Sequence, residues 1–292
     1  MSNHDHEREV DHVTGVETTG HEWDGIKELN KPLPKWWLYT FYATIIWAVG
    51  YWVLYPAWPT VNGYTQGILG YSQRAVVTDA VKANREGQSK FREQIASAEL
   101  ENIKSDPQLL RFAMAAGASA FGENCAGCHG RGAQGFVGYP NLNDDDWIWG
   151  GTLPAIYQTI NFGIRNGHDE ARYSEMPAFG RDQLLEPQQI QQVASYVLSL
   201  SGKADDPAAA KQGETIFAEQ CAACHGENGK GNNELGAPNL TDAIWLYGSD
   251  KASVVESIQT GRGGVMPPWA GRLDDVTIKS LAVYVHSRGG GQ

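Results

Sequence analysis

Two stretches of this chain, Cys125-Ala126-Gly127-Cys128-His129 and Cys221-Ala222-Ala223-Cys224-His225, use all four of its cysteines in one pattern. A pair of thiols one helical turn apart, with an imidazole directly after the second, restricts the surrounding fold more than any composition does. The pattern is the attachment signature of a c-type haem, whose two vinyl groups meet the thiols while the adjacent His stands under the iron. Zinc would need four thiolate or imidazole ligands closing one tetrahedron, and would not account for a His after each second Cys. Dithiol redox chemistry calls for a βαβ setting, whereas the flanks here are Gly-rich with helical periodicity. The expectation is two covalently bound haems c, one on Cys125 and Cys128 and one on Cys221 and Cys224, with His129 and His225 as proximal ligands. No cysteine is left for a structural disulfide.

The motifs sit in an internal repeat. Each half opens on Asp-Pro, at Asp106-Pro107 and Asp206-Pro207, with Asp suited to the N-cap and Pro to the first helical position. Phe121 and Phe217 each precede the first Cys by four residues. Asn141-Leu142 matches Asn239-Leu240, and Trp147 or Trp149 matches Trp245. A middle helix follows Thr152 and Ser249, ending at Gly163 and Gly261. Met176-Pro177 pairs with Met266-Pro267, and Tyr196-Val197 on a closing helix answers Tyr284-Val285. This order of helix, motif, loop, helix, Met loop and helix is that of the class I cytochrome c fold. The chain reads as all-α, with one domain over 106–202 and a second over 206–292.

A haem iron that only shuttles electrons needs a sixth ligand, and a Met thioether opposite His raises its potential. Met176 and Met266 lie 47 and 41 residues after the histidines of their own halves, each followed by a stiffening Pro. They are the expected axial ligands, with Met114 as core packing. His168, eight residues before Met176, is a rival ligand that reads better as part of an exposed turn. His286 reads as a surface or packing residue. Arg165 and Arg262, near the ends of the middle helices, are candidates to pair with haem propionates. No Ser-His-Asp set, P-loop or dinucleotide fingerprint is present, so no catalytic residue is assigned.

Ahead of the repeat, residues 36–58 run 23 positions without a charge. At 1.5 Å per residue that is about 35 Å, enough to cross a bilayer core of about 30 Å. Aromatic residues crowd both ends, as at a membrane interface. A polar leader of 35 residues and the poor cleavage site around Tyr55-Pro56-Ala57 argue against a removed signal peptide. Lys27, Lys31 and Lys35 precede the span, and the first basic residue after it is Arg74. The positive-inside rule then puts the N-terminus in the cytoplasm. Residues 1–35, with His4, His6, His12 and His21, read as a solvated tail, and 59–105 as a linker or docking segment with a helical stretch from about Asp79 to Lys104. The net charge of −11 argues against a nucleic-acid partner.

The stretch Asp24-Gly25-Ile26 through Leu29-Asn30-Lys31-Pro32-Leu33-Pro34-Lys35-Trp36-Trp37, running into Trp52 to Pro59, resembles the membrane-anchored dihaem subunit of bacterial cbb3-type cytochrome c oxidases. The resemblance extends from about residue 22 to the last helix. It implies a place in the inner membrane, haem domains in the periplasm, and a complex with a haem-copper catalytic subunit and a monohaem cytochrome c subunit. Electrons would arrive from a periplasmic cytochrome c and pass toward the oxygen-reducing centre. By resemblance, Cys125, Cys128, His129 and Met176 match the first haem site, and Cys221, Cys224, His225 and Met266 the second. A dihaem acceptor for a periplasmic dehydrogenase is the alternative that shares the haem motifs.

Overall fold

The computed structural model describes residues 9–203 and 206–289, so His4 and His6 lie outside the described residues. The chain divides into two compact units, the first ending at Glu86 and the second beginning at Gly87.

In the first unit, β1 (Thr18–Trp23) and β2 (Ile26–Leu29) form an antiparallel hairpin. Against the expectation of a solvated, partly disordered tail over 1–35 that is less random from Trp23 to Pro34, the hairpin orders more of it than that. The cause is local: Asp24 and Gly25 both take positive φ, +50° and +84°, which matches the twist of the flanking strands in a two-residue turn. Helix α1 (Lys35–Leu54) follows, 20 residues and about 30 Å long. It ends four residues short of the expected Trp58, because Pro56 forces the preceding Tyr55 into extended backbone (φ −117°, ψ 163°). No residue of α1 is buried against the described chain, which removes the reading of a core helix and leaves an apolar surface suited to lipid. A short hairpin of β3 (Pro59–Thr60) and β4 (Gly63–Tyr64) comes next.

Helix α2 (Gln73–Ser97) starts earlier than expected, and the helical run breaks at Ala98-Glu99 before α3 (Leu100–Ser105). Within the second unit its end is docked and not a free linker. Ile95 and Ile103 are fully buried, and Phe91 stacks on Phe112 at 5.5 Å. Lys279 donates to the carbonyls of Ile95, Ala96 and Ala98 at 3.3, 2.8 and 3.1 Å, closing the open C-terminal end of α2.

The repeat folds as a series of helices with capped starts. Asp106 accepts from the amides of Gln108 and Leu109 to open α4 (Pro107–Asn124), and Asp206 accepts from those of Ala208 and Ala209 to open α8 (Pro207–Gln220). Each runs into a single turn holding the CxxCH motif, α5 (Ala126–His129) and α9 (Ala222–His225). The middle helices are α6 (Leu153–Phe162) and α10 (Lys251–Thr260), and the closing helices α7 (Pro187–Leu200) and α11 (Asp275–Arg288).

The pairing of these helices departs from the expected domains 106–202 and 206–292. Helix α4 packs on α11, and α8 packs on α7. Gly117 of α4 brings its backbone against the Ser280 carbonyl and Tyr284, while Gly213 of α8 does the same with the Gln192 carbonyl and Val193. Phe121 lies 5.5 Å from Tyr284, and Phe217 lies 5.2 Å from Tyr196, both ring pairs inclined at 53°. One core therefore joins Phe121, Ile156 and Ile160 to Ile278, Leu281 and Val285. The other joins Phe217, Val254 and Ile258 to Phe179, Ile190, Val193 and Val197. The two repeats have exchanged their Met loops and closing helices. The physical reason lies in the connections: only residues 201–206 separate α7 from α8, and helices joined that closely pack as neighbours. Gly213→Val would push a side chain into the Gln192 carbonyl, and thermal denaturation should show a loss of about 1–3 kcal/mol. A variant as stable as the parent would contradict the close crossing.

Candidate haem sites

Each CxxCH turn is built alike. The amide of His129 donates to the Cys125 carbonyl at 2.9 Å, and that of His225 to the Cys221 carbonyl at 3.0 Å. The first Cys of each pair is half-buried and the second exposed. Burial, and then the neighbouring thiol, pushes Cys125 and Cys221 up to about 11. A reactive dithiol needs the opposite shift, so the environment favours a structural or attached role over redox exchange.

His129 Nδ1 lies 3.1 Å from the Pro140 carbonyl, and His225 Nδ1 lies 3.1 Å from the Pro238 carbonyl. A carbonyl only accepts, so Nδ1 carries the proton and Nε2 is left as the free donor atom toward a metal. Burial lowers both imidazoles from their usual range, keeping them neutral. Pro140 and Pro238 were missed as site residues, although Pro-Asn-Leu recurs at 140–142 and 238–240.

The methionines follow the exchange. Met266 packs against the core that holds Phe121 and Ile160, as Cys125 does, whereas Met176 packs against the core that holds Phe217 and Ile258, as Cys221 does. Backbone bonds hold each Met loop to the middle helix of the other repeat. Ile164 and Met266 exchange amide-to-carbonyl bonds at 3.0 Å, and Trp269 donates to the Ile160 carbonyl at 3.2 Å. In the second site Phe179 donates to the Ile258 carbonyl at 3.0 Å. A Cβ at Gly163 would overlap the Met266 carbonyl, and one at Gly261 the Met176 carbonyl. The expected grouping of Met176 with His129 and of Met266 with His225 is thus reversed. Met114 sits beside Ser287 at 3.3 Å, among packing residues. His168 is exposed, its ring tilted at 33° to that of Phe162 with centroids 5.3 Å apart, and its Nδ1 accepts from the Glu170 amide. His286 is buried in α11.

Whether these residues suit a haem is answered by two polar atoms. Trp147 Nε1 and Trp245 Nε1 are buried and lack any partner among the described residues. Such a donor is costly unless something accepts from it. The two occupy equivalent positions in the repeat, which also settles that Trp147, not Trp149, matches Trp245. A carboxylate of a bound porphyrin would supply the missing acceptor, so the residues fit the group.

The arginines divide differently from expectation. Arg262 donates to Ser257 Oγ and the Ser253 carbonyl, pairs with Glu256 at 3.1 Å and lies 4.6 Å above Tyr247. Its structural counterpart is Arg172, which donates to Thr159 Oγ1 at 2.8 Å and the Ala155 carbonyl at 3.2 Å and lies 5.5 Å from Trp149. Arg165 instead bonds to carbonyls of the two Met loops. The hydroxyl at Thr159 and Ser257 was the available clue to Arg172.

Acidic loops of the two repeats face one another beside the tryptophans. Burial, with Asp242, Asp144 and Asp145 adding to it, pushes the Asp146 carboxyl up from its ordinary 3.8 to about 6. Burial also raises Asp144. A carboxyl whose folded value is raised favours folding below 3.8, and that contribution is lost as pH rises through about 6. Asp146→Asn should therefore stabilise the protein at pH 7 by on the order of 1 kcal/mol, reduced for solvent screening. The gain should fade below about pH 4 in melts across pH. An unchanged pH profile would contradict the crowding.

Paired CxxCH sites on cytochrome c modules, behind one apolar helix, define the class: a membrane-anchored c-type cytochrome. Residues 15–62 match the N-terminal domain of cytochrome oxidase-cbb3, FixP, and residues 112–197 and 208–285 match cytochrome c oxidase, cbb3-type, subunit III. A cbb3-type cytochrome c oxidase subunit FixP of Bradyrhizobium sp. (strain ORS 278) is 57% identical, covering 97% of this chain and 98% of its own. Another from Azorhizobium caulinodans is 57% identical over 100% and 99%. A subunit CcoP from Cereibacter sphaeroides is 56% identical over 94% and 95%. This chain belongs to the cbb3-type cytochrome c oxidase subunit III family.

Proposed function

We propose that this chain carries electrons through two covalent haems c, from a periplasmic cytochrome c donor toward the oxygen-reducing catalytic subunit of a cbb3-type haem-copper oxidase. The observation that carries the reading is the match of both the anchor segment and the paired haem modules to one oxidase subunit family. A dehydrogenase acceptor would share the modules but gives no reason for the match over 15–62. The monohaem cytochrome c subunit and the catalytic subunit are the proposed neighbours. The lysines ahead of α1 favour a cytoplasmic N-terminus, an inner-membrane anchor and haem modules in the periplasm.

Haem c supplies reversible one-electron exchange at its iron. Cys125 and Cys128 would hold one haem by thioether bonds, and His129 Nε2 and the Met266 sulfur would ligate its iron. Cys221, Cys224, His225 and Met176 would hold the second. The Pro140 and Pro238 carbonyls orient the two imidazoles. Trp147 and Trp245, whose buried Nε1 groups have no partner among the described residues, would donate to the carboxylates of a bound haem and so reduce the cost of taking them from water. With a His and a Met both given to the iron, water and small substrates would be kept off the metal, which suits a carrier and not a catalyst.

Oxidase complex extracted mildly through this subunit should contain copper, a CO-binding haem b and low-spin haem c. Haem c with a dehydrogenase cofactor and no copper would move the chain to another complex. Met266→His should leave both haems attached and lower one potential. Each roughly 60 mV costs about tenfold in a one-electron equilibrium, so oxidase turnover should fall by at least about that factor. Normal turnover would remove Met266 from the ligand set.

A further inference from the structure

We infer that Arg165 is a positioning residue shared by both haem sites: one guanidinium ties the two methionine loops together and sets both axial sulfurs at once. The inference rests on the axial-methionine reading above, though not on which methionine serves which iron.

The geometry is specific. Arg165 Nε donates to the Gly264 carbonyl at 2.8 Å, and Nη1 donates to the Ser174 carbonyl at 2.9 Å. Gly264 and Ser174 each stand two residues before a methionine, Met266 and Met176. The same fork therefore grips the same point of both loops. A planar guanidinium fixes the angle between its donors, which a lysine ammonium does not.

The backbone is bent to deliver that fork. Arg165 takes φ +49°, a left-handed conformation that a residue with a side chain adopts only when its surroundings impose it. Its neighbours impose it. Ile164 is bridged to Met266 through both backbone bonds, and Asn166 Nδ2 donates to the Met266 carbonyl at 2.7 Å. Gly263 leaves the space for the side chain, since a Cβ there would stand 3.3 Å from Arg165 Nε. Burial lowers the guanidinium, and Tyr247, Glu175 and Tyr173 counter the shift by charge.

Simple charge pairing would have placed this arginine on Glu175, next to Met176. It is spent on two backbone carbonyls instead. The position has no partner in the second repeat, where Gly263 follows Arg262 as Arg165 follows Ile164. Arg172 and Arg262 each brace a middle helix of one repeat. Of these three arginines, Arg165 is the one that bonds to a Met loop of each repeat.

The test is made on the intact oxidase complex. Two readouts are the methionine-to-iron charge-transfer absorption of the ferric haems and the potential of each haem by spectroelectrochemical titration. Met176→His and Met266→His, made separately, assign each signal to its haem. Arg165→Leu should weaken the charge-transfer absorption and shift the potential at both haems. Asn166→Ala should move only the haem that Met266 serves. His168→Ala, on the same connecting segment but touching neither loop, should move neither. Arg165→Lys keeps the charge without the fork and should give the two-site shift in smaller measure. If the leucine variant does not accumulate, the lysine variant is judged by the same criterion. No change at either haem, or a change at one alone, overturns the proposal. A parent protein without the charge-transfer absorption would instead overturn the ligand reading, and the proposal with it.

Discussion

Two close helix crossings, Gly213 of α8 against the Gln192 backbone of α7 and Gly117 of α4 against Ser280 of α11, hold up everything else in the haem-bearing unit. At each, a missing side chain lets backbones approach and brings an aromatic pair together, Phe217 with Tyr196 and Phe121 with Tyr284. Because the closing helices are exchanged between repeats, the Met loops just ahead of them are exchanged too. The ends of the middle helices then receive the opposite repeat's Met carbonyl, at Gly163 and Gly261. Packing of two helix pairs thus decides which sulfur can reach which histidine.

The exchange also orders the two sites energetically. Tyr196 and Phe217 are 21 residues apart, whereas Phe121 and Tyr284 are 163 apart. Closing the longer segment costs about 2 kcal/mol more in chain entropy. The His225 site is therefore assembled from near-neighbour helices, while the His129 site waits for the last helix of the chain. Lys279, on that last helix, also caps the end of α2. The far end of the chain completes the first haem pocket and anchors the segment that leads into it.

Much of this was legible in the residues. The CxxCH turns, the Asp-Pro helix starts and the Met-Pro loops came directly from spacing that local chemistry enforces. The Asp24-Gly25 turn was equally legible by the φ both residues favour, but a surrounding run of polar residues hid the hairpin. The exchange was not legible. Tyr196 and Tyr284 sit at equivalent points of two near-identical patterns, so periodicity is indifferent to which closing helix meets which opening helix; only the short 201–206 connection hinted at the choice. The carbonyl bonds of Arg165 were hidden for a related reason. Position near a helix end suggested a carboxylate partner, whereas a left-handed backbone, invisible in the sequence, turns the side chain toward two carbonyls. The paired tryptophans were visible, but their unsatisfied donors became apparent only with burial.

The most direct measurement concerns a chain that carries one haem. With Cys125 and Cys128 both replaced by alanine, only the haem on Cys221 and Cys224 remains to be read. An exchanged fold requires that Met176→His abolish its methionine-to-iron charge-transfer absorption and that Met266→His leave it intact. Loss of that absorption with Met266→His, and its survival with Met176→His, would contradict the exchange and restore two self-contained domains.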